Sequence, residues 1–191
     1  MSGHGFHVHG PHDHELEHAA QHGGDSMTNQ IAMFTAIIAT VGAIFSYMGG
    51  ATQANAGLYK NNAAIKKTEA SNQWNYFQSK STKQSLAELA RDLAPEDKKA
   101  TYQAKVERYD KEKNEIKVVA DKLEADAKQW DEQSDEQMHL HHRWAQSTTA
   151  LQVAIALAAI ALLTKKRWLQ YGMFGVAGVG VAIGAAAMLH I

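Results

Sequence analysis

Eleven histidines and no cysteine set the terms for any metal or nucleophile chemistry in this chain. Seven of them crowd the first 25 residues, at His4, His7, His9, His12, His14, His18 and His22, among Asp13, Glu15, Glu17 and Asp25 and without a single base. Neutral imidazole is a good ligand for Zn, Cu or Ni, and nearby carboxylates raise the local affinity for cations. If the tail is helical from Asp13 onward, His14, His18 and His22 fall on one face, at a spacing that can bring two imidazoles to one metal. Glycine and proline interleave the earlier histidines, which reads as flexible chain. The tail therefore admits two readings, a transition-metal or pH-sensing arm and a segment that lies on a surface or stays unfolded. A second cluster, Met138-His139-Leu140-His141-His142-Arg143-Trp144, offers His139 and His142 as metal or proton ligands. The competing reading makes them ordinary interfacial residues beside a tryptophan anchor.

Other chemistry is scarce. Without cysteine there is no disulfide framework, thiolate zinc site, iron–sulfur cluster or cysteine nucleophile. No phosphate-binding loop, nucleophile elbow, zincin motif or dinucleotide fingerprint occurs. Acidic pairs such as Asp131-Glu132 and Asp135-Glu136 lie in a strongly charged stretch and read as surface charge. Nineteen basic residues against 20 acidic ones leave a net charge of −1, which gives no electrostatic footprint for nucleic acid. The residues point to a protein that is not an enzyme, with no cofactor beyond a possible Zn, Cu or Ni on the tail.

The elements that carry these residues are set by where charge is missing. No charged residue occurs between Asp25 and Lys60, between Arg143 and Lys165, or after Arg167. Each gap holds a segment long enough to cross ~30 Å of hydrocarbon at ~1.5 Å per residue. One Lys, Arg or Asp at the centre of such a helix opposes insertion by roughly 2.5–3.5 kcal/mol, and none is present. Tyr47, Trp144, Trp168 and Tyr171 stand at the segment ends, where amphipathic rings prefer headgroup depth. The chain thus reads as an all-α membrane protein. A tail (1–28) leads to a first transmembrane helix (29–50) and an extramembrane helical segment (51–144). A second transmembrane helix (145–164), a short basic loop (165–167) and a third transmembrane helix (168–191) complete it.

The middle segment is of another kind. From Ala51 to Arg143 it carries 16 basic and 16 acidic residues, one glycine and one proline, as long solvated helix does. Leu93-Ala94-Pro95-Glu96-Asp97 is its one interruption, with proline suited to a first helical turn and two acids suited to a helix N-terminus. Behind it Tyr102, Val106, Tyr109, Lys113, Ile116, Ala120, Leu123, Ala127 and Trp130 alternate spacings of four and three, a coiled-coil seam with Lys113 as the misfit. Folding back at 94–96 makes a long antiparallel coiled-coil hairpin inserted between the first and second membrane helices. Matching large apolar residues across the arms pairs Leu93 with Tyr102, Leu89 with Val106, Leu86 with Tyr109, Phe77 with Val118 or Val119, and Ile65 with Trp130. The same seams would also serve pairing between chains.

Candidate interaction residues follow. Gly180-x-x-x-Gly184, Ala39-x-x-x-Ala43 and Ala154-x-x-x-Ala158 are spacings that let helix backbones approach in lipid, within one chain or between copies. Trp74 and Phe77 form the bulkiest point of the first arm, as internal packing or as a docking site for a partner. The basic turn Lys165-Lys166-Arg167 favours a cytoplasmic tail and a periplasmic hairpin.

Two stretches of this sequence are distinctive. They are Ser71-Asn72-Gln73-Trp74-Asn75-Tyr76-Phe77-Gln78-Ser79-Lys80, and Leu151-Gln152-Val153-Ala154-Ile155-Ala156 running on to Leu163-Thr164-Lys165-Lys166-Arg167-Trp168. With the His- and acid-rich tail, they make the chain resemble a bacterial membrane-protein family catalogued as domain of unknown function 4337. The resemblance implies a multi-pass protein of the bacterial inner (cytoplasmic) membrane and brings no activity with it. The expectation is a structural or oligomeric scaffold, or an accessory subunit of a larger membrane complex, whose partners are the lipid bilayer and either copies of itself or other membrane proteins. Metal binding or sensing through the tail is the alternative.

Overall fold

The computed structural model describes residues 26–189, and all of its regular structure is helical. Helix α1 runs Ser26–Leu93, α2 Glu96–Thr164 and α3 Arg167–Met188. Unbroken helices of 68 and 69 residues follow from composition, since neither contains a proline and their interiors are rich in Ala, Lys, Gln and Glu. All three helices are long and apolar enough, over part of their length, to cross a membrane.

The connections are short because the ends are well terminated. Arg91 lies in the last turn of α1 and Glu96 with Asp97 in the first turn of α2, each opposing the local helix dipole. Ala94 N donates to Arg91 O at 3.3 Å, and Lys98 N to Pro95 O at 2.9 Å. After α2, Lys165 takes a left-handed conformation (φ 50°) and its N–H donates to Ala161 O at 2.8 Å, closing the helix as a glycine usually would. Lys166 is extended and begins α3 without a side-chain cap.

The chain forms two compact units, one from the residues up to Gly49 together with those from His142 onward, the other Gly50–His141.

In the second unit α1 and α2 pack antiparallel. Ser134 Oγ donates to Ala56 O at 2.9 Å, and the Tyr59 and Trp130 rings meet at 5.4 Å. Farther along, Lys80 bonds Glu112 and Lys113 bonds Gln84, and near the turn Arg91 Nη1 donates to Gln103 Oε1 at 2.8 Å. Small buried residues recur seven apart, Ala56, Ala63 and Ala70 on α1 and Ala120, Ala127 and Ser134 on α2, alongside buried Thr52, Ala87, Val106 and Ile116. In this register Ala63 stands opposite Ala127 and Ala70 opposite Ala120. Short side chains on both helices permit axes near the close end of the usual ~8–10 Å separation.

This corrects the pairing drawn from large apolar residues. The α2 seam from Tyr102 to Trp130 is buried or half-buried at all nine positions. Its partners on α1 are different. Leu58, Ile65, Leu86, Leu89 and Leu93 are exposed, Leu93 at 78%, and so are Val118 and Val119. Trp130 meets Tyr59 rather than Ile65. The physical reason is that α1 turns its alanine-bearing face, Ala56, Ala63, Ala70 and Ala87, to α2, which puts the leucines on the other side of the helix.

In the first unit the buried face of α1 is Ile31, Ile38 and Phe45, again seven apart. Against it lie Trp144, Ser147, Leu151, Ala154, Ala158 and Ala161 of α2 and Met173, Ala177, Gly180, Gly184 and Ala187 of α3. Phe34 meets Phe174 edge-on at 4.5 Å, and Phe45 meets Trp144 at 5.1 Å.

A close alanine seam is intolerant of added volume. Ala56→Leu or Ala120→Leu, at the most deeply buried alanines of the seam, should destabilise the hairpin by about 1–3 kcal/mol, against less than ~0.5 kcal/mol for the exposed Val118→Ala, as read by thermal melts of helicity in the full chain.

Candidate functional site

Trp74 and Phe77 stand on α1 three residues apart, so their rings share one side of the helix and meet edge-on at 5.5 Å. Both are half-buried. Trp74 Nε1 donates to Glu124 Oε1 of α2 at 2.8 Å, which gives the indole a charged partner and fixes the ring against the opposite arm. Beside it a groove of about 700 Å³ runs between the arms, with Ala63, Ala70 and Ala127 as its floor and Trp74 as one wall. Lys60 and Asp131, bonded at 2.5 Å, and Lys67 stand on its rim. Glu124 was not legible as a site residue, because it lies fifty positions from Trp74 and no local spacing connects them.

Toward the turn, the seam becomes polar. Lys80 Nζ donates to Glu112 Oε2 at 2.6 Å, with 13% of the lysine side chain exposed, and lies 4.9 Å from the Tyr76 ring centre. Lys113, the misfit of the heptad, keeps its place by donating to Gln84 Oε1 at 2.9 Å and lying 5.8 Å from the Phe77 ring. The hydrogen bond from Lys80 holds Glu112 below the usual carboxylate range, and the same bond raises Lys80. Lys60 is raised in the same way by its bond to Asp131, and Lys66 by its bond to Glu69. The Lys60–Asp131, Lys80–Glu112, Lys113–Gln84 and Lys113–Phe77 contacts tie the two helices together, whereas Lys66–Glu69 and Lys80–Tyr76 lie within α1.

Gly180 and Gly184 are buried inside their own unit. A Cβ added at Gly180 would come within 3.0 Å of Leu151 Cδ2 and 3.2 Å of Ala150 Cβ, and one at Gly184 would overlap the Phe45 ring. Ser147 Oγ donates to Gly180 O at 2.6 Å, a buried bond between α2 and α3. The glycine spacing is therefore spent on packing within the chain. Ala154 and Ala158 are likewise buried, whereas Ala39 and Ala43 face outward. Gly172, Gly175 and Gly178 meet nothing within 4 Å.

His139 and His142 are exposed, His141 is half-buried, and among the described residues no three ligating side chains converge. His14, His18 and His22 lie outside the described residues, as does the rest of the tail.

The sequence profile of a family described as domain of unknown function (DUF4337) matches residues 27–190, and the chain belongs to that family. No curated protein and no solved structure matches the chain.

The Lys80–Glu112 bond has a definite pH dependence. Glu112 is lowered, so its contribution is present above the ordinary carboxylate value of 4.5 and is lost as pH falls through the lowered folded value. Lys80 is raised, so its contribution is present below the ordinary lysine value of 10.5 and is lost as pH rises through the raised one. The difference in melting temperature between the wild-type chain and Glu112→Gln should therefore be constant at neutral pH and shrink at both extremes. Separately, Gly184→Leu should lower the melting temperature, while Gly178→Leu leaves it within about 2 °C, since only the first position has a ring in the way.

Proposed function

We propose that this protein is a non-enzymatic scaffold of the bacterial inner membrane, spanning it three times and presenting a helical hairpin that binds copies of itself or a larger membrane complex. The observation that carries the reading is how the first unit distributes its apolar surface. Around a core of both large and small residues, Ile37, Ile44, Leu163, Val179 and Val181 face outward, Leu163 at 85% exposure. At about 25 cal/mol per Å² such a surface is costly in water and comfortable in hydrocarbon. No charged residue occurs between Asp25 and Lys60 or between Arg143 and Lys165 to oppose insertion. The basic turn Lys165-Lys166-Arg167 supports a cytoplasmic side for that turn and for the tail, with the hairpin in the periplasm.

The hairpin supports the rest of the reading. Lys60–Asp131 and Lys80–Glu112 fasten one arm to the other, and pairs such as Lys66–Glu69 brace a single helix, so these carboxylates and lysines act as struts. An element of this kind holds a position and offers surface.

Alkaline washing of membranes from cells making the full chain should leave it in the pellet. Mass measurement after extraction in mild detergent should give an oligomer or a complex with a co-purifying protein. Release by the wash would overturn the membrane assignment, and a bare monomer would overturn the scaffold.

A further inference from the structure

We propose that the face of α1 turned away from α2 in the hairpin is the docking surface for a second copy of this chain, the two α1 helices running parallel. The inference rests on the membrane-spanning reading, because insertion gives every copy the same direction.

From Ala51 to Leu93, counting alternately by three and four, thirteen positions form one stripe along α1. Twelve are exposed and Ala51 is half-buried. Leu58, Ile65, Leu86, Leu89 and Leu93 are its large members, Asn72 stands at its middle, and every remaining place is Ala, Asn, Ser or Thr. This half of α1 carries nine charged residues, from Lys60 to Asp92, and none of them falls on the stripe. The corresponding outward face of α2 carries the charge expected where a helix meets water, with Lys111, Glu115, Lys122 and Glu132 all exposed. Two arms of one hairpin thus treat their outer faces oppositely, and the uncharged one holds the leucines that lie across the helix from its alanine face.

A second copy fits this face better than an unrelated partner does. In a parallel two-fold pair each stripe position meets its own counterpart, so a lysine or glutamate there would face a like charge. A face for a different protein has no reason to avoid charge altogether. Asn72 would meet Asn72, and an amide both donates and accepts, so the pair satisfies itself and resists slippage along the helix. Thirteen places at about 50 Å² each give ~650 Å² per copy before flanking residues are counted, the order of the ~800 Å² per partner of a stable complex. In the other unit, taken by itself, the same count along the sequence lands on Met33, Ile37, Thr40, Ile44 and Tyr47, all exposed.

Because the chain has no cysteine, single replacements report directly on self-contact. Ile65→Cys and Leu86→Cys place a thiol on the stripe, and Lys122→Cys places one on the outer face of α2. After mild oxidation of membranes holding the full chain, both stripe variants should give at least about tenfold more covalent dimer than Lys122→Cys, since a disulfide needs Cα atoms within ~7 Å. Equal or greater linking at Lys122 would overturn the proposal, as would an adduct whose mass is not twice that of the chain. If neither stripe variant links although the extracted protein is oligomeric, this face is wrong and the scaffold reading stands. A bare monomer in the mass measurement, together with no linking, removes both.

Discussion

Small side chains repeated every seven residues are the constraint on which the hairpin depends. Ala56, Ala63 and Ala70 opposite Ala120, Ala127 and Ser134 let two long helices pack closely over several turns, and that closeness dictates where every larger residue goes. Alanine alone does not fix the register, because a slip of seven residues would again set alanine against alanine. The polar pairs remove that ambiguity. Shifted by one heptad, Lys80 would leave Glu112 and stand near Lys105 or Val119, exchanging an ion pair for a like charge or an apolar neighbour. Packing supplies the contact and the polar pairs choose among equivalent contacts, a division of labour familiar from helical bundles with a few buried polar groups.

The other unit follows the same packing rule with different materials. Gly180 and Gly184 accept Leu151 and Phe45, and Ser147 donates to the Gly180 carbonyl. In both units Gly, Ala and Ser take close contacts beside larger buried residues, and much of the bulky apolar surface is directed outward. What differs is the surrounding that such a surface suits. Around the first unit large apolar residues face outward on every helix, as hydrocarbon would suit. Around the hairpin the outer stripe of α2 carries charge and that of α1 does not, an asymmetry that packing between the two arms does not require.

Much of this was legible along the chain. The charge gaps marked the three apolar stretches, Pro95 marked the turn, and the four–three alternation from Tyr102 to Trp130 identified the buried side of α2 residue by residue. The first arm was misread, because alanine carries little weight in a count of hydrophobic residues while Leu58, Ile65, Leu86 and Leu93 carry a great deal. Trp74 and Phe77 were recognisable as a bulky point, yet Glu124, which holds the indole, was not. Gly180 and Gly184 were visible as a spacing that serves contact within a chain or between chains, and only Leu151 and Phe45 lying against them decided for the former.

By itself, the sequence determined which residues form helix, where the helices stop and which stretches avoid charge, since all three depend on neighbours within a turn or two. The tertiary structure alone decided which face of α1 meets α2 and which leucines are left outside. That choice is made by summed contacts between segments far apart in the chain, where a methyl group more or less at each of several positions sets how near two helices come.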